Sequence, residues 1–261
     1  MVSLTSRRAV DLGELGVAVA GEFPEIGVAS IPGLVPYNVP LREKITNALM
    51  PSWSGILESK WNQLLVQTCP TDPRSIILRK PITSLSALKG LKLRASGSAE
   101  VALTKSLGAI PTSVAVADYY TSLQTGVVDG IWGPPGIQLQ AKLYEVAKYL
   151  LAVAIGGSVN AWTINKDALN ELSPSTRKIV LDTAKEGSHY CATLQDQIGQ
   201  DALRSLPSSY GVTVTPLSPQ DKAILRQLTA PLVDDWAKSA SPEGLKELAI
   251  VKGLVQTSGL S

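Results

Sequence analysis

Arg94 has the sequence context that best predicts chemistry. It ends the segment 91–94, in which apolar Leu91 and Leu93 alternate with basic residues as in a half-buried strand. The next residues, 95–98, could open a helix, with Ser98 as a plausible N-cap. Ligands in open α/β sheets collect outside the carboxyl ends of strands, and helix N-termini favour anions. The pattern predicts that Arg94 binds a carboxylate; a solvated or salt-bridged surface arginine is the alternative.

The composition indicates an ordinary soluble globular protein. The chain has 261 residues, of which 44% are hydrophobic and 18% charged, so it can bury a substantial core and could form two lobes. A formal net charge of +2, without a lysine/arginine cluster, argues against nucleic-acid binding. The longest apolar stretches fall well short of the roughly 20 residues that cross a bilayer, so no membrane span is expected.

The chain offers little for catalysis or metal binding. His189 is its only histidine, and it lies in a predicted helix two residues from Cys191, a spacing at which the side chains do not face each other. There is no C-x-x-C pair, Walker loop or dinucleotide fingerprint. We therefore expect no enzyme activity, no metal and no cofactor. Cys69 and Cys191 could pair in an oxidising compartment, although Cys191 shares an apolar helical stripe and is expected to be a buried thiol.

Several elements can be predicted around these residues. Short strands are expected at 15–20 and 64–69, with helical stretches at 40–50 and 53–61 interrupted by Pro51, and residues 74–78 are expected to begin the second lobe. Ser173 and Pro174 begin a long amphipathic helix, which at thirty residues would span roughly 45 Å and could touch both lobes. Ser218 begins another helix, whose apolar stripe includes Ile224, Leu228, Leu232 and Trp236 and is expected to pack in the core.

Three segments carry a family resemblance: LKGLKLR, LGAIPTSVAVADYYTSLQTGVVDG and KLYEVAKYLL. Together they resemble the extracytoplasmic solute receptors of TRAP transporters, the C4-dicarboxylate-binding (DctP-like) family. The resemblance implies an α/β, two-lobed periplasmic-binding-protein fold with a long connecting helix. The implied lobes are 1–71 plus 159–200 (lobe I) and 72–158 plus 201–261 (lobe II). The implied function is a periplasmic receptor that captures a small organic acid and delivers it to TRAP-type membrane subunits.

The resemblance also implies roles for two arginines. Arg94 matches the arginine that pairs bidentately with the ligand carboxylate, for which a guanidinium suits better than an ammonium group. Arg74 lies where several relatives carry a second ligand-facing arginine; a solvated charge at a lobe edge is the alternative.

Four further residues are expected near the ligand. Gly133 stands where many relatives carry an asparagine that binds the acid, and Trp132 replaces an acidic residue and offers a flat apolar wall, or else packs in the core. Val116 replaces a phenylalanine that often lines the pocket. Trp162 lies in a strand near which relatives place ligand contacts, although core packing is the expected role. With Gly133 in place of an asparagine and Trp132 as an apolar wall, the pocket would favour an apolar or aromatic organic acid.

The beginning of the chain departs from the family pattern. Residues 6–13 resemble a phrase that usually follows the first strand–helix–strand unit, and no export signal is visible before them. The expectation is that lobe I is N-terminally incomplete. A truncated or non-transport ligand-binding or sensor protein of the same fold is therefore the alternative function.

Overall fold

The computed structural model describes residues 10–15 and 23–260. A three-stranded antiparallel sheet has the order β1-β8-β2, formed by β1 (Leu12–Leu15), β2 (Gln63–Pro70) and β8 (Val159–Asn165). A six-stranded mixed sheet is formed by β3 (Arg74–Leu78), β4 (Lys92–Arg94), β5 (Ile110–Thr112), β6 (Gly130–Gly133), β7 (Tyr149–Ile155) and β9 (Thr213–Pro216). Its order is β5-β4-β6-β3-β7-β9. We call the parts of the molecule built on these two sheets lobe I and lobe II, respectively.

Eight α-helices pack around the sheets in the described residues. They are α1 (Val39–Trp61), α2 (Gly97–Ser106), α3 (Tyr119–Thr125), α4 (Pro135–Gln140), α5 (Lys166–Glu171), α6 (Pro174–Tyr210), α7 (Pro219–Ser239) and α8 (Pro242–Ser258). Short 3₁₀ helices lie at Pro24–Ser30, Leu85–Leu88, Val116–Asp118 and Leu143–Glu145. No helix in this part of the chain combines the length and the apolar character needed to cross a membrane.

The long helix predicted after Ser173 is confirmed as α6. The Ser173 side chain accepts a hydrogen bond from the Thr176 backbone N–H, Pro174 takes the first turn, and Gly211 ends the helix with a φ of 64°. Its 37 residues pack along β2 in lobe I and against α4 in lobe II. The helix therefore touches both lobes, as its predicted length allows.

Three local predictions need correction. Helix α1 continues through Pro51, because Leu49 and Trp53, on either side of the proline, are both fully buried in the lobe I core. Helix α2 begins two residues earlier than expected, so that Ser96 is the N-cap and Ser98 lies in the first turn. Of the strand predicted at 15–20, residues 16–20 lie outside the described residues. The strand described just before them is β1, which ends at Leu15.

Two large cores lie against the two sheets. The lobe I core includes Trp53 of α1 and Leu65 of β2, and the lobe II core includes Ile76 of β3 and Trp132 of β6. Helix α7 contributes to both, because Leu225 is buried in the lobe II core whereas residues near its C-terminal end, such as Trp236, pack on lobe I. Helix α7 therefore forms a second connection between the lobes.

The predicted lobe boundaries remain a prediction, but one segment packs differently from the proposed division. Leu248 and Val251 of α8 are buried in the lobe I core, against α1. The division placed all of 201–261 in lobe II, because sequence order alone gave no reason for the chain to return. We propose that 242–258 belongs with lobe I.

The expectation of a free thiol at Cys191 is wrong, because Cys69 and Cys191 form a disulfide. Their Cα atoms are 5.6 Å apart, although 122 positions separate them in sequence. Strand β2 runs alongside α6, and the Thr68 backbone N–H donates to Ser188 Oγ at 3.2 Å. Cys69 follows Thr68 and Cys191 lies about one helical turn beyond Ser188, so the bond fixes the sheet of lobe I to the connecting helix.

Candidate functional site

A cleft of about 930 Å³, including its open mouth, lies where the two lobes meet. Lobe I supplies the 3₁₀ helix at 24–30, and lobe II supplies the start of β3 and the first turn of α2. The β7–β8 crossover and the end of α7 complete the walls. The lining residues are Pro24, Gly27, Ser30, Pro32, Arg74, Ser96, Gly97, Ser98, Ala99, Glu100, Ile155, Gly156, Gly157, Ser158, Trp236 and Ser239.

Arg74 is the cation that lines this cleft. As the first residue of β3, it is set at the strand end by pairing with Ile155 of β7. Its Nη1 donates to Glu100 Oε1 at 2.7 Å and to Ser96 Oγ at 3.3 Å, and its Nη2 donates to Ser158 Oγ at 3.4 Å. The guanidinium group therefore joins the start of α2 to the crossover between the lobes.

Glu100 is the only other charged residue among the described residues of the lining, and hydrogen bonds hold both of its carboxylate oxygens. While Oε1 accepts from Arg74, Oε2 accepts from the Ser96 backbone N–H at 2.5 Å and from Ser96 Oγ at 3.1 Å. The Arg74 and Glu100 side chains are only 15% and 8% exposed. A charge-assisted pair of this geometry is stronger than an exposed one, because little water competes for it.

The first turn of α2 faces the cleft with unsatisfied backbone donors. The Ser96 side chain makes no capping hydrogen bond, and Gly97, Ser98 and Ala99 all line the cleft. The first N–H groups of a helix lack partners within the helix and carry partial positive charge. Together with Arg74, this turn can accept a carboxylate.

Arg94 lies beside the cleft but is not part of its lining. It ends β4 as predicted, and its Nε and Nη1 donate to the carbonyls of Val114 and Trp132 at 3.4 and 3.3 Å. Its guanidinium lies 4.7 Å from the centre of the Tyr119 ring. Burial lowers the pKa of Arg94, and Arg74 lowers it further, so the two cations interact through space. No carboxylate among the described residues forms an ion pair with Arg94.

The remaining residues predicted for the site lie elsewhere. Trp132 is fully buried in the lobe II core, which fits the core alternative, and Gly133 is buried in β6 opposite Ser75. Val116 is 60% exposed in a 3₁₀ helix outside the cleft. Trp162 packs in lobe I beside Leu169 of α5. The structure thus brings Arg74 and Arg94 close together and leaves the other four apart from the cleft.

Sequence reasoning missed two residues that the cleft uses. Glu100 belongs to the first turns of α2, where an acidic residue normally only complements the helix dipole; its proximity to Arg74 depends on tertiary structure. Trp236 was expected in the core because it continues an apolar stripe, and it does pack on lobe I, but it also lines the cleft. It supplies the indole that had been expected from Trp132.

The comparisons with known proteins agree with this architecture. Residues 11–239 match the family model of bacterial extracellular solute-binding proteins, family 7. The C4-dicarboxylate-binding periplasmic protein of Rhodobacter capsulatus is 27% identical over 173 residues, which make up 66% of this chain and 51% of that protein. The chain spans about half the length of the first curated relatives that it matches, 54% and 51%.

Solved structures match over more of their length. A Bordetella pertussis extracytoplasmic solute receptor that binds pyroglutamic acid has a TM-score of 0.89 and 25% identity, and the match covers 96% of this chain and 83% of that one. A TRAP periplasmic solute-binding protein of Desulfovibrio salexigens, solved with bound orotic acid, has a TM-score of 0.84 and 24% identity, with 97% and 82% covered.

These matches confirm the two-lobed α/β fold and the resemblance to TRAP solute receptors. They also confirm the prediction of a binding protein rather than an enzyme, since the family is one of binding proteins. The chain belongs to the bacterial extracellular solute-binding proteins of family 7.

Proposed function

We propose that this protein is the extracytoplasmic receptor of a TRAP-type transporter and that it captures a small organic acid in the cleft between its lobes. The observation that carries the proposal is the convergence of Arg74 and the uncapped first turn of α2 on one cleft to which both lobes contribute. The receptor then delivers the acid to TRAP membrane subunits.

Arg74 and the first turn of α2 hold the ligand carboxylate. Arg94, predicted from the sequence as the main anchor, is a second contact for the carboxylate, on the same lobe as Arg74 and α2. Two facts support this role: Arg94 is only partly buried, and its Nη2 makes no hydrogen bond to another described residue. Closure excludes water, which strengthens both charge-assisted contacts.

The rest of the ligand packs against apolar walls. The cleft is lined by Trp236, Ile155, Pro24 and Pro32. In the part of the chain that the structure describes, the polar side chains of the lining that do not bond to Arg74 are small serines. Such a pocket favours a compact acid with an apolar or ring-shaped body over a heavily hydroxylated one. The receptor from Bordetella pertussis binds pyroglutamic acid, a ligand of this kind.

A periplasmic location fits this function. The family is extracellular by its description, and the relative from Rhodobacter capsulatus is periplasmic by name. The Cys69–Cys191 disulfide adds independent support, because disulfides form and persist mainly in oxidising compartments such as the periplasm.

A thermal-shift screen tests the function. The purified protein is heated with mono- and dicarboxylates, keto acids and aromatic acids, each beside its neutral amide or methyl ester. Ligand binding to the folded state raises the melting temperature in a concentration-dependent manner. We expect acids of one class to raise it and their neutral analogues to have no effect.

A charge variant links the screen to the cleft. Arg74→Ala is expected to weaken binding of the best acid more than about tenfold, because it removes a charged hydrogen-bond partner. Arg226→Ala, on the exposed side of α7, is the control and should bind like the parent. The absence of any acid-specific shift, or equal affinity of parent and Arg74→Ala, would contradict the proposal.

A further inference from the structure

The charges around the cleft leave room for a single negative charge on the ligand. Among the described residues, Arg74 and Glu100 are the only charged ones in its lining, and they carry one charge of each sign. Arg94, beside the cleft, adds a second positive charge that no carboxylate of the described residues pairs with. The three groups therefore sum to +1.

Two buried charges lie behind the wall of the cleft and offset each other. Arg42 is 2% exposed, and its Nη2 donates to the carbonyl of Gly157 at 2.6 Å. Asp72 is 1% exposed, and its Oδ2 accepts from the Gly136 backbone N–H at 3.3 Å. Both interact electrostatically with Arg74, with opposite signs. Asp196, which interacts with Asp72, is partly exposed and accepts a hydrogen bond from the Tyr37 hydroxyl. The net charge that a ligand meets in the cleft is therefore set by Arg74, Arg94 and Glu100.

Glu100 cannot turn out of the cleft without losing several hydrogen bonds. Both of its oxygens are occupied, one by Arg74 and the other by the backbone and side chain of Ser96. It has little exposed surface and lies in the first turns of α2, the same turns that offer N–H groups to a ligand. A bound anion must therefore share this end of the cleft with a fixed carboxylate.

This arrangement separates monoanions from dianions. A monocarboxylate neutralises the surplus positive charge, so the closed cleft becomes electrically neutral. A dicarboxylate leaves one uncompensated negative charge close to Glu100, and burying an unpaired charge is costly. The opposing charges interact more strongly once closure has removed water.

We infer that Glu100 is an internal counter-ion of Arg74 that sets the ligand charge at −1, so that the protein takes monocarboxylates and discriminates against dicarboxylates. The inference rests on the proposed function and narrows its substrate class. Glu100 is a specificity-determining residue in this account, because removing its charge frees Arg74 for a second carboxylate.

The test uses ligands matched in size. Succinate, glutarate and phthalate are each titrated calorimetrically beside their monoamides, which keep the skeleton and lose one charge. For the parent protein, we expect each monoamide that binds to bind at least about tenfold more tightly than its diacid, because the diacid leaves one buried charge unpaired. A diacid that binds as tightly as its monoamide, or more tightly, overturns the inference, and this comparison needs no variant.

Glu100→Gln provides the second arm. Glutamine keeps an oxygen for the Ser96 N–H and removes the charge, so affinity for the diacids should rise at least about tenfold while the preference for monoamides disappears. Glu145→Gln, at an exposed site where the carboxylate accepts from Tyr120, should keep the parent's preference. An unchanged preference in a folded Glu100→Gln protein overturns the inference.

The measurements distinguish a failure of the proposed function from a failure of the role assigned to Glu100. If neither diacids nor monoamides bind to the parent protein, and no acid shifts its melting temperature, the proposed function itself fails and the inference fails with it. If acids bind without regard to their charge, the proposed function stands and only the role of Glu100 is overturned.

Discussion

In the proposed site, Arg74 and Arg94 are the two cations that bind the ligand carboxylate. Arg74 faces the cleft and is oriented by Glu100, Ser96 and Ser158, whereas Arg94 lies beside the cleft and is held by two carbonyls and the Tyr119 ring. A guanidinium group suits both positions, because its fork can bond several acceptors at once where a lysine would offer a single nitrogen.

At the residue scale, Arg94→Ala should weaken binding of the preferred acid more than about tenfold, because it removes a charged hydrogen-bond partner and half of the positive charge of the site. The two hydrogen bonds that it loses are long, so the fold should persist. Calorimetric titration measures the affinity. Lys92→Ala is the matched control, since Lys92 lies on the same strand, is exposed and lines no part of the cleft; equal affinity of the Arg94 variant and the parent would refute this role.

Glu247 gives a second prediction at this scale, independent of the ligand. It is fully buried, where Ser52 Oγ and Trp53 Nε1 donate to its carboxylate at 2.6 and 3.3 Å. Burial raises its pKa to about 7; the two hydrogen bonds oppose this, and Glu25 and Glu243 add to it. The folded protein therefore holds this proton more tightly than the unfolded chain does.

The raised pKa of Glu247 makes the folded protein less stable as the pH rises. The stability due to the Glu247 proton is fully present below the ordinary glutamate pKa of 4.5 and is lost as the pH rises through about 7. Glu247→Gln should therefore flatten the fall in melting temperature between about pH 5 and 8. Thermal unfolding across this range measures it, with exposed Glu186→Gln as the control. A Glu247 variant with the parent's pH profile would contradict the assignment.

At the scale of elements, the disulfide ties β2 to α6 and so joins the sheet of lobe I to the helix that reaches lobe II. The Cys69→Ala/Cys191→Ala double variant should lose about 2–4 kcal/mol of unfolding free energy, because the cross-link restricts the unfolded chain. Urea unfolding of the parent with and without reductant, beside the double variant, measures the loss. If reductant left the parent's midpoint unchanged while its thiols titrated as free, the cross-link would contribute nothing to stability.

The elements that sequence predicted well are those with local signals. Helix α6 has a serine cap, a proline in its first turn and a glycine stop, and Arg94 ends an alternating strand. Pro51 gave a misleading signal, since the cost of a proline in α1 is outweighed by the burial of Leu49 and Trp53 around it. Local propensity decides where tertiary packing does not oppose it.

At the scale of the whole molecule, the site depends on residues that are distant in sequence. Arg74, Glu100, Ser158 and Trp236 meet only because α7 and the β7–β8 crossover bring the lobes together. No spacing rule relates Glu100 to Arg74 or Cys69 to Cys191. Trp132, for which the sequence left a pocket wall and the core as alternatives, lies in the core instead of the cleft. Sequence therefore predicted the fold, and tertiary packing determined which residues line the cleft. The ligand-binding roles of Arg74 and Arg94 stay predictions.

The two connections between the lobes allow a ligand to act on the whole molecule. An acid held by lobe II can favour closure only through the additional contacts that it makes with lobe I in the closed form. Lobe I supplies Pro24, Gly27 and Pro32 to the lining. Under the proposed function, we expect the contacts of the acid's body with lobe I to favour closure and its carboxylate to fix the orientation of the acid.

A crystal structure with the acid that gives the largest thermal shift is the most direct test of the central claim. The account predicts that the acid lies between the lobes, with its carboxylate within hydrogen-bond distance of Arg74 and of the first N–H groups of α2 and its body against Trp236. An acid bound elsewhere, or one whose carboxylate points away from Arg74 and α2, would contradict the account.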